Sequence, residues 1–124
     1  MRSVKAVLAG ILLAPLVSGL AYAQSGAFPG KPVRILVPYP AGGAVDIIAR
    51  AMGPKLTANL GQPTIVENRP GASGILASEH LVKSPADGLT LIIVISSHAV
   101  NPSMYKRLPY DTLNDFAPVT LIGT

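Results

Sequence analysis

The sequence contains no cysteine, and this absence removes several kinds of protein from consideration. A chain without thiols forms no disulfides, and it offers no sulfur for the lipid that anchors a bacterial lipoprotein. The two histidines, His80 and His98, lack the H-x-x-x-H spacing that places two metal ligands on one helix face. We therefore expect neither a metal ion nor a cofactor.

The chain also carries little net charge when its N-terminal segment is not counted. The whole chain has 10 Lys and Arg against 6 Asp and Glu, and without Arg2 and Lys5 the basic count falls to 8. These residues are scattered, and no stretch alternates them with aromatic residues, so the sequence gives no support for nucleic-acid binding. A weakly positive surface favours small anions entering a cleft.

Motifs of the common nucleotide-binding and hydrolytic enzymes are missing too. Neither glycine-rich turn reads G-x-G-x-x-G or G-x-x-x-x-G-K-[ST], and residues 71–74 (GASG) do not form the nucleophile motif G-x-S-x-G. Asp46 and Glu67 are the only acidic residues near the predicted strand ends, and we expect each to serve a helix start or a turn. We expect no catalysis, with a small hydrolase or isomerase as a distant alternative.

The first 23 residues have the features of a secretory signal peptide. Arg2 and Lys5 supply a basic start, residues 6–20 are apolar, and residues 21–23 (AYA) form a small-x-small cleavage site. The apolar run is shorter than the roughly 18–20 residues that span a bilayer, which argues against the alternative of an uncleaved anchor. We expect cleavage after Ala23 and a periplasmic location.

Apolar runs separated by glycine- and proline-rich turns predict alternating strands and helices. The predicted strands are residues 33–37, 64–67, 89–95 and 117–122, and the predicted helices are residues 44–60, 75–83 and 99–105. This order predicts an α/β fold with a mostly parallel sheet, flanking helices and right-handed crossovers.

The first predicted helix is amphipathic. Its apolar residues follow the spacing of one buried face: Val45, Ile48, Ala49, Met52, Leu56 and Leu60. Asp46 and Arg50 lie four residues apart on the other face, where they can pair. Pro54 is expected to kink or shorten this helix, and Gly61 to end it.

Three turns follow the carboxyl ends of predicted strands, at residues 39–43, 68–74 and 96–98. In a parallel sheet these ends lie at one edge, where ligands bind. Two of the turns lead through glycines into a helix N-terminus, where unpaired N–H groups and the helix dipole attract anions. The sequence therefore predicts a site for a small anion such as a carboxylate. The candidate ligand residues are Tyr39, Ala41, Gly42, Gly43, Ala72, Ser73, Ser97 and His98.

Each candidate also has a purely structural explanation. The turn at residues 39–43 could be an ordinary strand-to-helix connection that needs glycine. Ser73 could cap the second helix through its hydroxyl, and His98 could be a turn histidine paired with the backbone. The residues alone leave these alternatives open.

Segments along nearly the whole of residues 28–124 resemble the Bug family, the substrate-binding receptors of tripartite tricarboxylate transporters. The matching segments are residues 31–46, 61–63, 66–74, 85–88, 98–102 and 108–111. The resemblance implies a periplasmic-binding-protein-like receptor whose two α/β domains close on a small organic carboxylate and pass it to membrane permease subunits. It also implies backbone and water contacts to the ligand from the first glycine turn and the Asn-Arg-Pro-Gly turn.

The chain departs from the family pattern in two side chains and in length. Val45 stands where Thr or Ser is usual, and Ile75 where Asn is common, so polar contacts to a ligand are fewer. Family members are well over twice as long. The resemblance therefore implies that residues 24–124 are a truncated first domain, and a remnant without binding activity is the alternative.

We predict export and cleavage after Ala23, because the basic start, short apolar run and small-x-small site occur together. Mass spectrometry of the periplasmic fraction should find Gln24 at the N-terminus. Recovery of the intact chain from Met1 in the membrane fraction would contradict this prediction.

Overall fold

A three-stranded parallel sheet forms the centre of the structure, a computed structural model that describes residues 28–123. The predicted signal peptide lies outside these described residues. The elements in chain order are β1 (Val33–Val37), α1 (Ala44–Leu60), β2 (Thr64–Asn68), a 3-10 turn (Ala72–Gly74), α2 (Ile75–Val82), β3 (Thr90–Ile92) and α3 (Ser96–Met104). The predicted α/β class with a parallel sheet is confirmed.

The strand order is β2-β1-β3, and both pairings are parallel. α1 therefore connects β1 to its neighbour β2. α2 connects β2 to β3, which lies on the other side of β1, so this connection runs in the opposite direction along the sheet. Right-handed crossovers in opposite directions place their helices on opposite faces of the sheet. The carboxyl end of β1 is thus the point where the chain reverses direction, which is the place where such sheets bind ligands.

The core lies around β1, whose two faces are both covered by helices. Ile35 and Val37 pack with Ala49 of α1, and all three are at most 2% exposed. Val33 and Leu36 are equally buried. A central parallel strand is covered on both sides, which explains its nearly continuous apolar sequence.

Helix α1 begins and ends where the sequence predicts. Gly61 adopts a left-handed conformation (φ 69°), and its N–H donates to the Thr57 carbonyl at 2.9 Å, which closes the helix. We expected Pro54 to kink or shorten the helix, but the helix is not shortened. The preceding residue is Gly53, which has no Cβ to clash with the proline ring, so the 17-residue helix continues through it.

The predicted faces of α1 are only partly correct. Ala49 is buried and Val45 and Leu56 pack against the core, but Ile48 remains 40% exposed. Asp46, expected on the polar face, is 2% exposed. The reason is the set of hydrogen bonds described below, which hold this carboxylate against the sheet.

β2 and α2 each differ by one residue from the prediction, and three other elements differ more. Residues 117–122 are not a strand: no strand within residues 28–123 pairs with them, and Val119 is 77% exposed. β3 covers only residues 90–92 of the predicted 89–95. α3 starts at Ser96 instead of Ala99 and includes Pro102. No helix within residues 28–123 has both the length and the apolar character needed to cross a bilayer.

We predict that Gly74→Ala destabilises the fold more than Gly61→Ala. Both glycines have positive φ (87° and 69°), so each alanine adds left-handed strain of roughly 1–2 kcal/mol. A Cβ at Gly74 would also lie 3.2 Å from Cβ of Pro38, whereas one at Gly61 meets nothing within 4 Å. Urea unfolding of the two variants measures the difference, and equal midpoints would contradict the predicted contact between the 3-10 turn and Pro38.

Candidate functional site

Two glycine turns and the start of α3 lie at the carboxyl edge of the sheet, where the sequence predicts three turns. Six residues separate the end of β1 from the start of α1, and three separate the end of β3 from the start of α3. Between them, the 3-10 turn follows β2, and Gly74 of this turn lies against the Pro38 ring at the end of β1. Helix N-termini and strand ends therefore form one cluster.

The first glycine turn uses its own N–H groups to hold its shape. The N–H of Gly42 donates to Oδ2 of Asp46 at 2.8 Å, and that of Gly43 donates to the Pro40 carbonyl at 3.3 Å. Gly42 has φ 84°, a conformation that favours glycine. The groups left to meet an anion are therefore those of the first turn of α1, not those of the glycines.

The N-terminus of α1 carries no side-chain cap. Gly43 is the N-cap residue, and the first intrahelical hydrogen bond runs from the Ile47 N–H to the Gly43 carbonyl at 3.0 Å. The N–H groups of Ala44 and Val45 lie before that bond, at the positive end of the dipole. This geometry suits a carboxylate group.

Asp46 is the buried centre of a hydrogen-bond network that reaches the surface. Both of its carboxylate oxygens accept from Nε of Arg50 at 3.0 Å, and Oδ1 accepts from Nδ2 of Asn68 at 2.9 Å. Together with the Gly42 N–H, Arg50 and Asn68 lower the pKa of Asp46 to about 2, with the Arg50 bond as the largest cause. A carboxylate this acidic is a poor base, so Asp46 serves the helix start and turn, as the sequence suggests.

Asn68 joins the ends of two strands. Its Nδ2 donates to the Tyr39 carbonyl at 3.1 Å, and its Oδ1 accepts from Nη2 of Arg50 at 3.0 Å. The amide thus ties β2 to the turn after β1. Asn68 was not among the candidate site residues. Its place in the Asn-Arg-Pro-Gly turn is the sequence signal that could have identified it.

Glu67, the second acidic candidate, faces two guanidinium groups. Its carboxylate accepts from Arg34 of the neighbouring strand and from Nε of Arg69 at 2.6 Å. These hydrogen bonds lower the pKa of Glu67, and the bond from Arg34 has the largest effect. The residue therefore links strands and turn as an ion pair, in keeping with the predicted structural role.

The second turn is held in an unusual conformation. Ala72 and Ser73 have φ of 46° and 53°, which non-glycine residues rarely adopt. The Ser73 carbonyl accepts from Nδ2 of Asn101 at 3.2 Å, and the Ser73 hydroxyl accepts from the Tyr105 hydroxyl at 3.3 Å. The suggestion that Ser73 caps α2 is wrong, because Gly74 is the N-cap residue and no side-chain cap bond is made.

α3 also contacts the first turn. The Tyr39 hydroxyl lies 3.0 Å from Oγ of Ser97, in the first turn of this helix. Two of the predicted site residues, one from each side of the switch point, are thus in direct contact. Ala41 lies in the exposed part of the first turn and Ala72 in the exposed part of the second.

His98 lies in an aromatic cluster. Its ring stacks on Tyr110 at a centroid distance of 5.7 Å and meets the edge of Phe116 at 4.7 Å. Its Nδ1 is 3.4 Å from the Ser78 hydroxyl, and burial lowers the pKa of His98. The neutral imidazole is therefore favoured at neutral pH.

Comparison with known proteins gives a consistent family match. Residues 48–124 match the model of the tripartite tricarboxylate transporter family receptor. A protein encoded in the tcbD-tcbE intergenic region of Pseudomonas sp. (strain P51) is 42% identical over 118 residues, which cover 95% of this chain and 35% of the relative.

Two solved structures show the same fold. The periplasmic binding protein BugD is 31% identical, with a TM-score of 0.70 over 73% of this chain and 30% of that one. MatC from Rhodopseudomonas palustris, solved with bound malate, is 35% identical, with a TM-score of 0.69 over 74% and 32%. The chain thus spans about a third of the length of the proteins it matches.

We predict that Asp46→Asn removes an acid-sensitive part of the stability. Folding holds the pKa of Asp46 near 2, below its ordinary value of 3.8, so the ionised group stabilises the fold above pH 4. That contribution is lost as the pH falls towards 2. The free energies of unfolding of the wild type and Asp46→Asn should therefore converge between about pH 4 and pH 2.

Urea unfolding at several pH values measures this convergence. Glu79→Gln, which breaks only an exposed pair with Lys83, is the matched control and should give a small, nearly constant difference. A difference for Asp46→Asn that does not change with pH would contradict the prediction.

Proposed function

Because the chain belongs to the tripartite tricarboxylate transporter receptor family, we propose that it is the receptor part of such a transporter. In this proposal it works in the periplasm, binds a small organic carboxylate and passes it to membrane permease subunits. The described residues then form part of the first of two domains. The observation that carries the proposal is the convergence of uncapped helix N-termini at the carboxyl edge of the sheet.

The proposed carboxylate position lies at the N-terminus of α1. The N–H groups of Ala44 and Val45 supply hydrogen-bond donors there, and the dipole adds a favourable potential. Gly42 and Gly43 shape the turn, and a Cβ added at Gly42 would meet no atom within 4 Å. The malate bound to MatC supports a carboxylate as the ligand class.

Side chains from α3 and the second turn complete the proposed site. Tyr39 and Ser97 hold their hydroxyls together at 3.0 Å, next to the switch point. Ser73 lies on the second turn, beside the same helix. His98, largely neutral, would contribute at most an uncharged donor, so the negative charge of the ligand would be met mainly by main-chain N–H groups.

The proposal includes no catalytic step. Ser73, the serine in the second glycine turn, has the hydroxyl of Tyr105 and the amide of Asn101 as its recorded partners, not a histidine or a carboxylate. A hydrolase needs a base within hydrogen-bond reach of its nucleophile. The described geometry at Ser73 therefore gives no support to Ser73 as the nucleophile of a hydrolase.

We predict that Ala44→Pro weakens carboxylate binding without unfolding the protein. Proline lacks an N–H but is well tolerated at the first position of a helix. Gly43 before it is already extended (φ −74°, ψ 166°), as a residue preceding proline should be. Loss of one charge-assisted hydrogen bond should weaken binding by roughly 10- to 150-fold.

Calorimetric titration with a panel of mono- and dicarboxylates, including malate, tests this prediction. Glu79→Ala is the control, because Glu79 pairs with Lys83 on α2, away from the proposed donors. Ala44→Pro with native circular dichroism and unchanged affinity would place the site elsewhere. Absence of binding to every carboxylate in the unaltered chain would contradict the proposed receptor function for this chain.

A further inference from the structure

The turn between β2 and α2 contains four consecutive residues with positive φ. Gly71 and Gly74 have φ of 136° and 87°, and Ala72 and Ser73 between them have 46° and 53°. Residues with a Cβ are strained in this region. Such a turn persists only where surrounding groups hold it in place.

Those surrounding groups come from α3 and from Tyr105, the residue that follows it. Ser97 and Asn101 are four residues apart on one side of the helix, and the extended residue Tyr105 is tied to it by its N–H, which donates to the Asn101 carbonyl at 3.0 Å. Ser97 contacts Tyr39 of the first turn, whereas Asn101 and Tyr105 contact Ser73 of the second. These three polar side chains form a stripe that touches both turns of the proposed site.

Asn101 is the buried member of this stripe. Asn101 is only 2% exposed, and its Nδ2 donates to the Ser73 carbonyl at 3.2 Å. The Tyr110 hydroxyl is 3.5 Å from the same nitrogen. A buried amide costs free energy unless it is hydrogen-bonded. The bond to the Ser73 carbonyl offsets this cost, and it also ties the amide to the main chain of a strained residue.

We propose that Asn101 is a positioning residue, which fixes the left-handed turn and so presents Ser73 at the carboxylate site. The amide reaches the backbone of the strained residue itself, so it acts on the conformation of the turn and not on the ligand. This inference rests on the proposed function, since Ser73 matters only if the edge of the sheet binds a ligand.

The test measures the turn in the full chain without any ligand, so it is independent of whether a carboxylate binds. The N–H groups of Gly74 and Ile75 bond to the carbonyls of Gly71 and Ala72, and their hydrogen exchange reports on the turn. In Asn101→Leu these two amides should exchange about tenfold faster or more. Amides of β1, such as Leu36, should keep their protection.

A second substitution separates positioning from general packing. Ser73→Gly removes the cost of the left-handed conformation. It also removes the hydroxyl that Tyr105 contacts, so the double variant is compared with Ser73→Gly alone. If Asn101 holds the left-handed conformation of Ser73, Asn101→Leu should raise exchange at the turn much less in the Ser73→Gly chain than in the wild type. Asn59→Leu, on the exposed side of α1, is the matched control and should change nothing at the turn.

Tyr105→Phe provides a variant that leaves the core intact. It removes the hydroxyl that bonds to Ser73 from a side chain at the surface, so exchange at Gly74 and Ile75 should rise by a smaller factor. Unchanged exchange in Asn101→Leu, an equal rise across β1 and the turn, or a rise in the Ser73→Gly chain as large as in the wild type would each overturn the proposal.

Discussion

The arrangement of the candidate site depends on one buried charge, the carboxylate of Asp46. Burial of a carboxylate is costly unless its oxygens are hydrogen-bonded, and this one accepts from the main chain of a turn, a guanidinium and an amide. Those donors belong to three different parts of the chain. The charge therefore determines how the first turn of α1 points relative to the ends of β1 and β2.

The other half of the site is organised by neutral hydrogen bonds from α3 and from Tyr105, the residue that follows it. Asn101 and Tyr105 reach the second turn, and Ser97 reaches Tyr39. The two halves therefore differ in their physical sensitivity. Ionic pairing around Asp46 depends on the ionisation of a carboxyl group, whereas the bonds from α3 involve only amide and hydroxyl groups.

Local features of the fold could be predicted well from the sequence, and features that depend on distant residues could not. The bounds of β1 and α1 follow from apolar spacing and from Gly61, which all lie within the element concerned. Periodicity assigned Asp46 to the polar face, because nothing local reveals an asparagine 22 residues away. The apolar segment 117–122 looked like a strand, but strand formation also needs a partner.

In the candidate site, too, the features that depend on local sequence were predicted and those that depend on distant residues were not. The two glycine turns and residues 96–98 were predicted to lie at one edge because the carboxyl ends of parallel strands share it, although residues 96–98 form the start of α3 and not a turn. The importance of Asn68 and Asn101 was missed, since each acts on a residue 28 or 29 positions away in the chain. Asparagine in a turn or a short helix has too many ordinary roles for its sequence position to identify the one it has here.

The uncapped start of α1 has a consequence for how receptors of this kind can diverge. The groups that we propose to bind an anion there are peptide N–H groups, which every amino acid except proline carries, so such an anchor is inherited with the backbone conformation and not with particular side chains. Mutations around the pocket, such as a valine in place of a hydroxyl residue at position 45, can then alter the shape and polarity offered to the rest of a ligand. Affinity for an acidic group and preference among acids can therefore evolve separately.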